Sequence, residues 1–342
     1  MKTYFYPVDS ISDTSYAYPV ARLRTLEARA LGPEQYERMI GASDEADIMR
    51  ILEISGYENT RRDPDEEYGQ FIHRNLVHAI DAAQGYLSRR DRWFADYFRA
   101  DIDAINLKEK AKAYMAGQEE GAYIEGGVMP PELLKQTAPD KCSDEFPEPY
   151  GSMWKDFLSI YSSEEAGGYR TVSVFFDNRK MKYLRHLAER TGSGFIKEFT
   201  SVRADCLNIE IFFRIKGMNE EEQAAGFFAD SGQVPADRLK NAVRVSHIPS
   251  EIWAPSPYLA YVLRIESEIK EGRESRMQIV ETETARIISD YLSNAKYIVF
   301  GPEVICSYYF RIRRELMNVK TILLGRSNAI DSETVQKRLV LV

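Results

Sequence analysis

The chain has 342 residues, of which 44% are hydrophobic and 29% charged, and its formal net charge is −8. These values are typical of a globular protein, and a chain of this length is expected to hold two or three domains. Acidic and basic residues interleave along the sequence, which argues against a basic face for nucleic acid and against a polybasic membrane anchor.

The cysteines and the apolar runs bear on the cellular compartment. The three cysteines, Cys142, Cys206 and Cys306, are far apart and form no CxxC spacing, so we expect a reduced, cytoplasmic protein. The first residues lack the apolar run of a signal peptide. No window approaches the roughly 20 apolar residues that a membrane helix needs. If the protein works at a membrane, we expect another subunit to hold it there.

Apolar residues recur at helical spacing along most of the chain. On this basis the predicted helices, in chain order, lie within 15–31, 43–55, 71–87, 93–114, 176–190, 195–215, 257–271 and 277–292. Gly32-Pro33 is predicted to end the first helix, and Ser43 to be the N-cap of the second. Residues 169–176 resemble a short, isolated strand, and 142–149 and 249–256 are predicted linkers. The sequence therefore predicts an all-α protein.

The same short pattern recurs on three of the helix-forming stretches: an acid, two residues, then an asparagine between large apolar side chains. The three copies are Asp103-Ala-Ile-Asn106-Leu107, Asp205-Cys-Leu-Asn208-Ile209 and Glu315-Leu-Met-Asn318-Val319. The asparagines are 102 and 110 residues apart (208−106 and 318−208), which is too long for a solenoid unit of about 20–50 residues. This spacing predicts three related helical modules, over residues 1–128, 129–238 and 239–342, with pseudo-threefold symmetry.

A glycine–proline turn follows the first two copies. Gly127 to Pro130 lies 21 residues past the first asparagine (127−106), and Gly232 to Pro235 lies 24 past the second (232−208). Each turn is predicted to open a short helix. After the third copy only 327–331 and a final helix remain, so the third module is predicted to be shortened.

The repeated asparagine indicates a role for its amide. Asparagine costs about half a kcal/mol relative to alanine in a helix interior, so three at matched positions are unexpected by chance. The acid three residues earlier lies on the same side of the helix, and an arginine seven residues earlier extends that side in the first and third copies. The candidate site residues are therefore Arg99, Asp103, Asn106, Asp205, Asn208, Arg311, Glu315 and Asn318.

Two interpretations of this polar stripe stay open. In the first, it braces a neighbouring segment of the same module, as most buried side-chain hydrogen bonds go to nearby backbone. In the second, the three stripes surround a central axis and line a polar socket for a partner. The aromatic run Tyr308-Tyr309-Phe310 has two interpretations as well, either core or intermodule packing or exposed anchoring of a protein interface.

No pattern of catalytic or ligand-binding residues stands out. His73 and His78 are five residues apart and would face different sides of a helix, so a zinc pair is not expected. Phosphate-binding, dinucleotide-binding and metalloprotease motifs are absent from the sequence. Asp101 and Asp103 diverge on a helix, which argues against an acid–base pair. We therefore expect a non-catalytic protein without cofactor or metal.

Several of these landmarks, in their order and spacing, resemble one family. They are the opening segment 15–29, the 103–108 element, the Gly127 and Gly232 turns, the segment from Phe176-Asp177 to Asn208, Gly301-Pro302-Glu303, and 313–319. Together they are similar to the C-type subunit of V/A-type rotary ATPases, the counterpart of the d-type subunit of eukaryotic V-ATPases. The resemblance spans nearly the whole chain.

The resemblance implies a funnel of three helical modules on the cytoplasmic face of the membrane rotor ring. The central shaft subunits D and F would enter its opening, and the chain would be a monomer within a hetero-oligomeric complex, peripheral to the membrane. Its implied role is non-catalytic coupling of ATP chemistry to proton or sodium transport. An unrelated three-module helical scaffold is the main alternative, and an enzyme with acidic residues in a cleft between modules is a more distant one.

Overall fold

The computed structural model describes residues 13–118, 121–161, 169–215, 228–244, 249–272 and 275–341. It is 75% helical, and these ranges contain no strand, which confirms the predicted all-α class. The α-helices of the described ranges are α1 Ala17–Glu27, α2 Pro33–Ile40, α3 Glu45–Ile54, α4 Tyr68–Tyr86, α5 Asp96–Met115, α6 Pro131–Gln136, α7 Cys142–Glu145, α8 Tyr150–Tyr161, α9 Tyr169–Thr191, α10 Gly194–Ile215, α11 Ala236–Arg244, α12 Pro249–Ile252, α13 Leu259–Glu271, α14 Arg276–Leu292, α15 Pro302–Ser327 and α16 Ser332–Arg338.

The two predicted turn-plus-helix elements are confirmed. Pro131 is the first residue of α6, where a missing backbone N–H costs little, and Pro235 directly precedes α11. Among the described helices, α2 and α8 were not predicted, nor were the short helices α7 and α12. Gly32-Pro33, predicted to end the first helix, instead opens α2, with Pro33 at its first position.

Three local predictions are wrong for identifiable reasons. Asp44, not Ser43, is the N-cap of α3, because its carboxylate accepts the Asp47 N–H at 2.9 Å. The strand-like run 169–176 forms the first turns of α9, where the buried side chains of Val172 and Phe176 pack in an apolar cluster with α5 and α8. Packing here overrides the strand preference of β-branched and aromatic residues. The two predicted linkers contain the short helices α7 and α12.

The helices that carry the repeated pattern, α5, α10 and α15, are called the core helices below. Each is preceded by another long helix, α4, α9 or α14 respectively. That preceding helix packs extensively on the core helix of a different copy: α9 on α5, α14 on α10, and α4 on α15. The three helix pairs are thus linked in a closed cycle, in which the N-terminal part of the chain meets the C-terminal core helix.

The N-terminal halves of the core helices meet through aromatic side chains. Phe310 of α15 lies 4.9 Å from Phe199 of α10 and 6.3 Å from Phe98 of α5, measured between ring centroids. Tyr97 of α5 shares a 2.9 Å hydrogen bond with Thr200 of α10. Fully burying each ring contributes about 1.5–3 kcal/mol. Tyr309 and Phe310 are buried in the main apolar core, which confirms the core-packing interpretation for these two residues.

Among the helices of the described ranges, not one combines the length and the apolar character that crossing a bilayer requires.

Candidate functional site

The acid of the first copy holds the glycine–proline turn that follows it. The two carboxylate oxygens of Asp103 accept the main-chain N–H groups of Val128 and Met129, both at 3.0 Å. The Tyr150 hydroxyl donates a third hydrogen bond to Asp103 at 2.8 Å. Asp103 is completely buried, so these three donors replace the water that the carboxylate loses on folding.

The second copy repeats this arrangement group by group. Asp205 accepts the N–H groups of Gln233 and Val234 at 2.7 and 3.1 Å. The Tyr258 hydroxyl donates to the same carboxylate at 3.0 Å. The two acids therefore have equivalent surroundings although they share no contact.

The glycine of each turn is required by the closeness of the acid. A Cβ added to Gly127 would lie 2.3 Å from an oxygen of Asp103, and one added to Gly232 would lie 2.2 Å from an oxygen of Asp205. Both distances are far shorter than a normal contact, because the turn backbone sits directly on the carboxylate. The sequence predicts these glycines as turn residues but does not predict what they approach.

The asparagine of each copy binds one main-chain residue through both ends of its amide. Asn106 donates to the Ile124 carbonyl and accepts the Ile124 N–H, both at 2.9 Å. Asn208 makes the same pair of bonds with Ala229, and Asn318 makes it with Val340. This pair of hydrogen bonds satisfies the main chain of an otherwise irregular segment. It explains why an asparagine occupies a helix interior in all three copies.

The third acid is held differently, by a residue from the other end of the chain. The Tyr57 hydroxyl donates to Glu315 at 2.7 Å, and Tyr57 precedes Glu315 by 258 residues. Burial raises the pKa of Glu315, and the main-chain N–H of Leu31, just before α2, is one of the groups that act in the opposite direction. The N-terminal segment thus supplies contacts to the acid of the third copy, and no pattern in the sequence predicted this.

The two arginines of the stripe bond to main-chain carbonyl groups. Arg99 donates to Gly126, at the start of the first turn, at 2.9 Å, and also reaches Asp81 at 2.8 Å. Arg311 donates to the carbonyl of Glu27, shortly before Leu31, at 3.4 Å. Each arginine therefore reaches the segment that its acid helps to hold.

Burial dominates the electrostatics of the repeated acids. It raises the pKa of Asp103 and of Asp205 to about 6, although the backbone and tyrosine donors act in the opposite direction. Burial strongly raises the pKa of Tyr150 and Tyr258, and the negative charge of the adjacent aspartate raises it further. The tyrosine hydroxyls therefore stay protonated and act as donors.

The repeated polar stripe thus has bracing contacts in every copy. All three acids and all three asparagines are buried, and their bonds go to nearby backbone or to a tyrosine hydroxyl. The alternative, that these side chains line a socket, stays a prediction. The described residues include no group of three or more His, Cys, Asp or Glu side chains arranged to hold a metal ion.

A second set of matched positions does meet at one point. Asp101, Arg203 and Arg313 each stand five residues before the asparagine of their copy (106−101, 208−203 and 318−313). Arg203 Nη2 lies 2.8 and 2.9 Å from the two oxygens of Asp101, and Arg313 Nη1 lies 2.8 Å from one of them. Lys180 of α9 adds a contact of 3.0 Å. One acid thus joins all three core helices.

This cluster was missed because its members differ in chemistry. The asparagine repeat preserves residue type, whereas position −5 holds one acid and two arginines. Burial alone would raise the pKa of Asp101, but the charges of Arg203, Lys180 and Arg313 outweigh it and hold that pKa well below its usual range. Asp101 is therefore ionised at neutral pH.

One helical turn beyond the cluster, the core helices carry apolar side chains with partial exposure. Ile105 and Met317, each directly before its asparagine, are 45% and 38% exposed, and Leu207 at the matched position is half-buried. Residues four apart share a helix face, so these three side chains follow the Asp101 cluster along the same side.

A cleft opens beside this apolar set. Its volume is about 380 Å³, and it lies between α14 and α15. Phe310, Arg313 and Met317 of α15 form part of its wall, facing Ala285 and Ile288 of α14. The core helices are therefore in contact through their N-terminal halves, and a cleft lies beside α15 further along it.

These features define an all-helical protein built on a threefold internal repeat of braced core helices. The chain belongs to the family described as the ATP synthase (C/AC39) subunit, whose profile matches residues 19–338. This confirms the resemblance inferred from the sequence.

Curated relatives carry names of the same kind. The C-type subunit of the A-type ATP synthase of Halobacterium salinarum is 22% identical, with 96% of this chain and 98% of the relative aligned. Its counterpart in Desulfurococcus sp. is also 22% identical, with 95% and 90% aligned. The C-type subunit of the V-type sodium ATPase of Enterococcus hirae is 25% identical, with 68% and 70% aligned. The relatives are thus named as subunits of A-type and V-type ATPases.

Proposed function

We propose that this chain is the non-catalytic central-stalk rotor subunit of a V/A-type ATPase. In this role it is a socket that couples the shaft subunits D and F to the proteolipid rotor ring, for ATP-linked transport of protons or sodium ions. The ring would hold it on the cytoplasmic face of the membrane. Family membership supports the assignment to a rotary ATPase, and the finer role rests on the contacts among the core helices.

The observation that carries the socket role is the meeting of Asp101, Arg203 and Arg313. Matched positions of three repeats are expected to meet when the repeats surround a common axis. The closed cycle of helix pairs supports the same arrangement, a funnel of three modules. The aromatic contacts among the N-terminal halves would close its narrow end, and the partly exposed Ile105, Leu207 and Met317 would form the floor of its opening.

The brace contacts also refine the proposed modules. Because Tyr150 holds the acid of the first copy and Tyr258 that of the second, we propose that each module extends at least to its tyrosine, beyond residues 128 and 238. The third module would then consist of the C-terminal part together with the segment from Leu31 to Tyr57. A chain joined in this way resists separation of its modules, which suits a subunit that transmits torque.

Binding to purified partners tests this proposal. The chain is mixed separately with detergent-solubilised rotor ring and with the shaft subunits, and complexes are separated by size. Binding to both is expected. A chain that binds neither the ring nor the shaft subunits would favour the unrelated scaffold. Met317→Asp is expected to weaken shaft binding at least about tenfold while ring binding is retained, because a charge in an apolar contact is costly. Ile54→Asp, at an exposed apolar residue of α3, is the matched control and should leave both unchanged.

A further inference from the structure

A second cleft, of about 140 Å³, lies between α1, α4 and α15, beside the acid of the third copy. Its residues fall into three groups: a charged mouth, tyrosine walls and a polar floor. They are Arg22, Glu58 and His78 at the mouth, Tyr57, Tyr86 and Tyr308 in the walls, and Arg311 and Glu315 at the floor. Glu58 and His78 have side chains 80% and 50% exposed, so the cleft is open to small molecules.

Two charged groups at the floor are incompletely bonded. Within the described part of the chain, Glu315 Oε1 and Arg311 Nε have no hydrogen-bond partner. Their side chains are only 1% and 16% exposed, and the two atoms are 3.7 Å apart, which is too far for a hydrogen bond. Buried charged groups in this state are costly, so a molecule that satisfies both has a favourable place to bind.

The other two copies show that this state is particular to the third. Both oxygens of Asp103 and of Asp205 accept hydrogen bonds from the adjacent turn. Asp103 and Asp205 line neither this cleft nor the one between α14 and α15. The longer glutamate and the separate N-terminal segment leave space where the first two copies have a closely fitted turn.

The chemistry of the floor selects a hydroxyl group. A single oxygen about 2.8 Å from both atoms fits the 3.7 Å gap. That oxygen must accept the Nε–H of Arg311 and donate to the carboxylate of Glu315, as a hydroxyl does. The charges of Arg22 and Arg311 balance those of Glu58 and Glu315, which disfavours an ionic ligand.

The size and walls of the cleft define the rest of the ligand. At about 30 Å³ per molecule, the volume corresponds to roughly five waters, or a molecule of about six heavy atoms. The three tyrosines offer apolar ring faces and further hydroxyls. We propose that this cleft is a binding site for a small polyol, one hydroxyl of which bridges Arg311 and Glu315. The site is independent of the proposed rotor function.

Saturation-transfer NMR on the full chain tests the proposal, with glycerol as the probe. Glycerol has six heavy atoms, so a dissociation constant on the order of millimolar is expected. The control probe is 1,2-dimethoxyethane, which has the same number of heavy atoms but no hydroxyl donor. Transfer to glycerol and little to the control supports the site, whereas equal transfer to both overturns it.

Two variants locate the binding. Arg311→Met removes the bridging donor and is expected to weaken glycerol binding about tenfold or more. Ala82→Leu fills the cleft, keeps both charged groups and is expected to abolish glycerol binding. It therefore tests the site even if Arg311→Met does not fold. Ala28→Leu, an exposed alanine of the same N-terminal region outside the cleft, is the matched control. Unchanged binding in Ala82→Leu, or equal loss in Ala28→Leu, overturns the proposal.

Discussion

Arg203 of α10 places one guanidinium nitrogen 2.8 and 2.9 Å from the two carboxylate oxygens of Asp101 of α5. The two residues occupy the same position of two sequence repeats, and Arg313 brings the third repeat to the same carboxylate. The repeats are therefore joined by residues that are matched in position but opposite in charge. A single acid of this kind fixes three core helices relative to one another.

Replacing Asp101 by asparagine should lower the free energy of unfolding by about 3–5 kcal/mol, because the buried cations lose their shared carboxylate. Urea denaturation followed by circular dichroism measures the change. The matched control is Asp156→Asn, which breaks the exposed pair of Asp156 with Arg179 and should cost less than about 1 kcal/mol. Equal effects of the two changes would mean that the Asp101 cluster is not a principal joint.

Gly232→Ala should destabilise the protein by roughly 1–3 kcal/mol, since the new methyl group would force the second turn away from Asp205. Gly85→Ala is the control, because an added Cβ there meets nothing within 4 Å. In a helix that change should instead stabilise by about 0.5–1 kcal/mol. Thermal denaturation of both variants provides the comparison, and a neutral Gly232→Ala would contradict the close fit of turn and acid.

The raised pKa of Asp205 predicts a pH-dependent stability. Its value in the folded protein is about 6, against the ordinary 3.8, so between these pH values the folded state holds a proton that the unfolded state releases. The stabilising contribution of that proton is present at low pH and is lost as the pH rises through about 6.

The test compares the wild type with Asp205→Asn, which has no titrating group at this position. Relative to the variant, the wild type should lose about 1 kcal/mol of unfolding free energy between pH 5 and pH 7. Urea denaturation at the two pH values gives the difference. A difference that is constant, or that grows with pH, would show that the backbone donors outweigh burial.

Tyr57→Phe should be more harmful than Tyr258→Phe, although both remove a hydroxyl from a repeated acid. Asp205 keeps two backbone donors when Tyr258 is changed, whereas Glu315 loses its only bond shorter than 3.5 Å within the described residues. We expect about 1–3 kcal/mol for Tyr57→Phe and less than half of that for Tyr258→Phe. Hydrogen exchange should show the additional loss of protection in α2 and α3. Equal destabilisation by the two changes would argue that the Tyr57–Glu315 bond does not hold the N-terminal segment against α15.

Much of this architecture could be predicted from the sequence because local patterns encode it. Helical periodicity and turn residues indicated the all-α class and the helices α6 and α11, and bracing contacts were one of the two interpretations of the asparagine repeat. The cluster at Asp101 could not be predicted from the repeat. Its three matched positions hold one acid and two arginines, so a comparison that looks for the same residue type in each copy does not detect them. The bond from Tyr57 to Glu315 spans 258 residues, and no local pattern marks a partner at that separation.

The central claim, that the opening beside Met317 receives the shaft, is tested most directly by site-specific cross-linking in the assembled complex. A photoreactive amino acid is placed at Met317, and separately at Ile54 on α3 as the control. We predict a cross-link from position 317 to a shaft subunit and none to the shaft from position 54. Cross-linking of position 317 only to the rotor ring or to a stator subunit, or of both positions equally to the shaft, would contradict it.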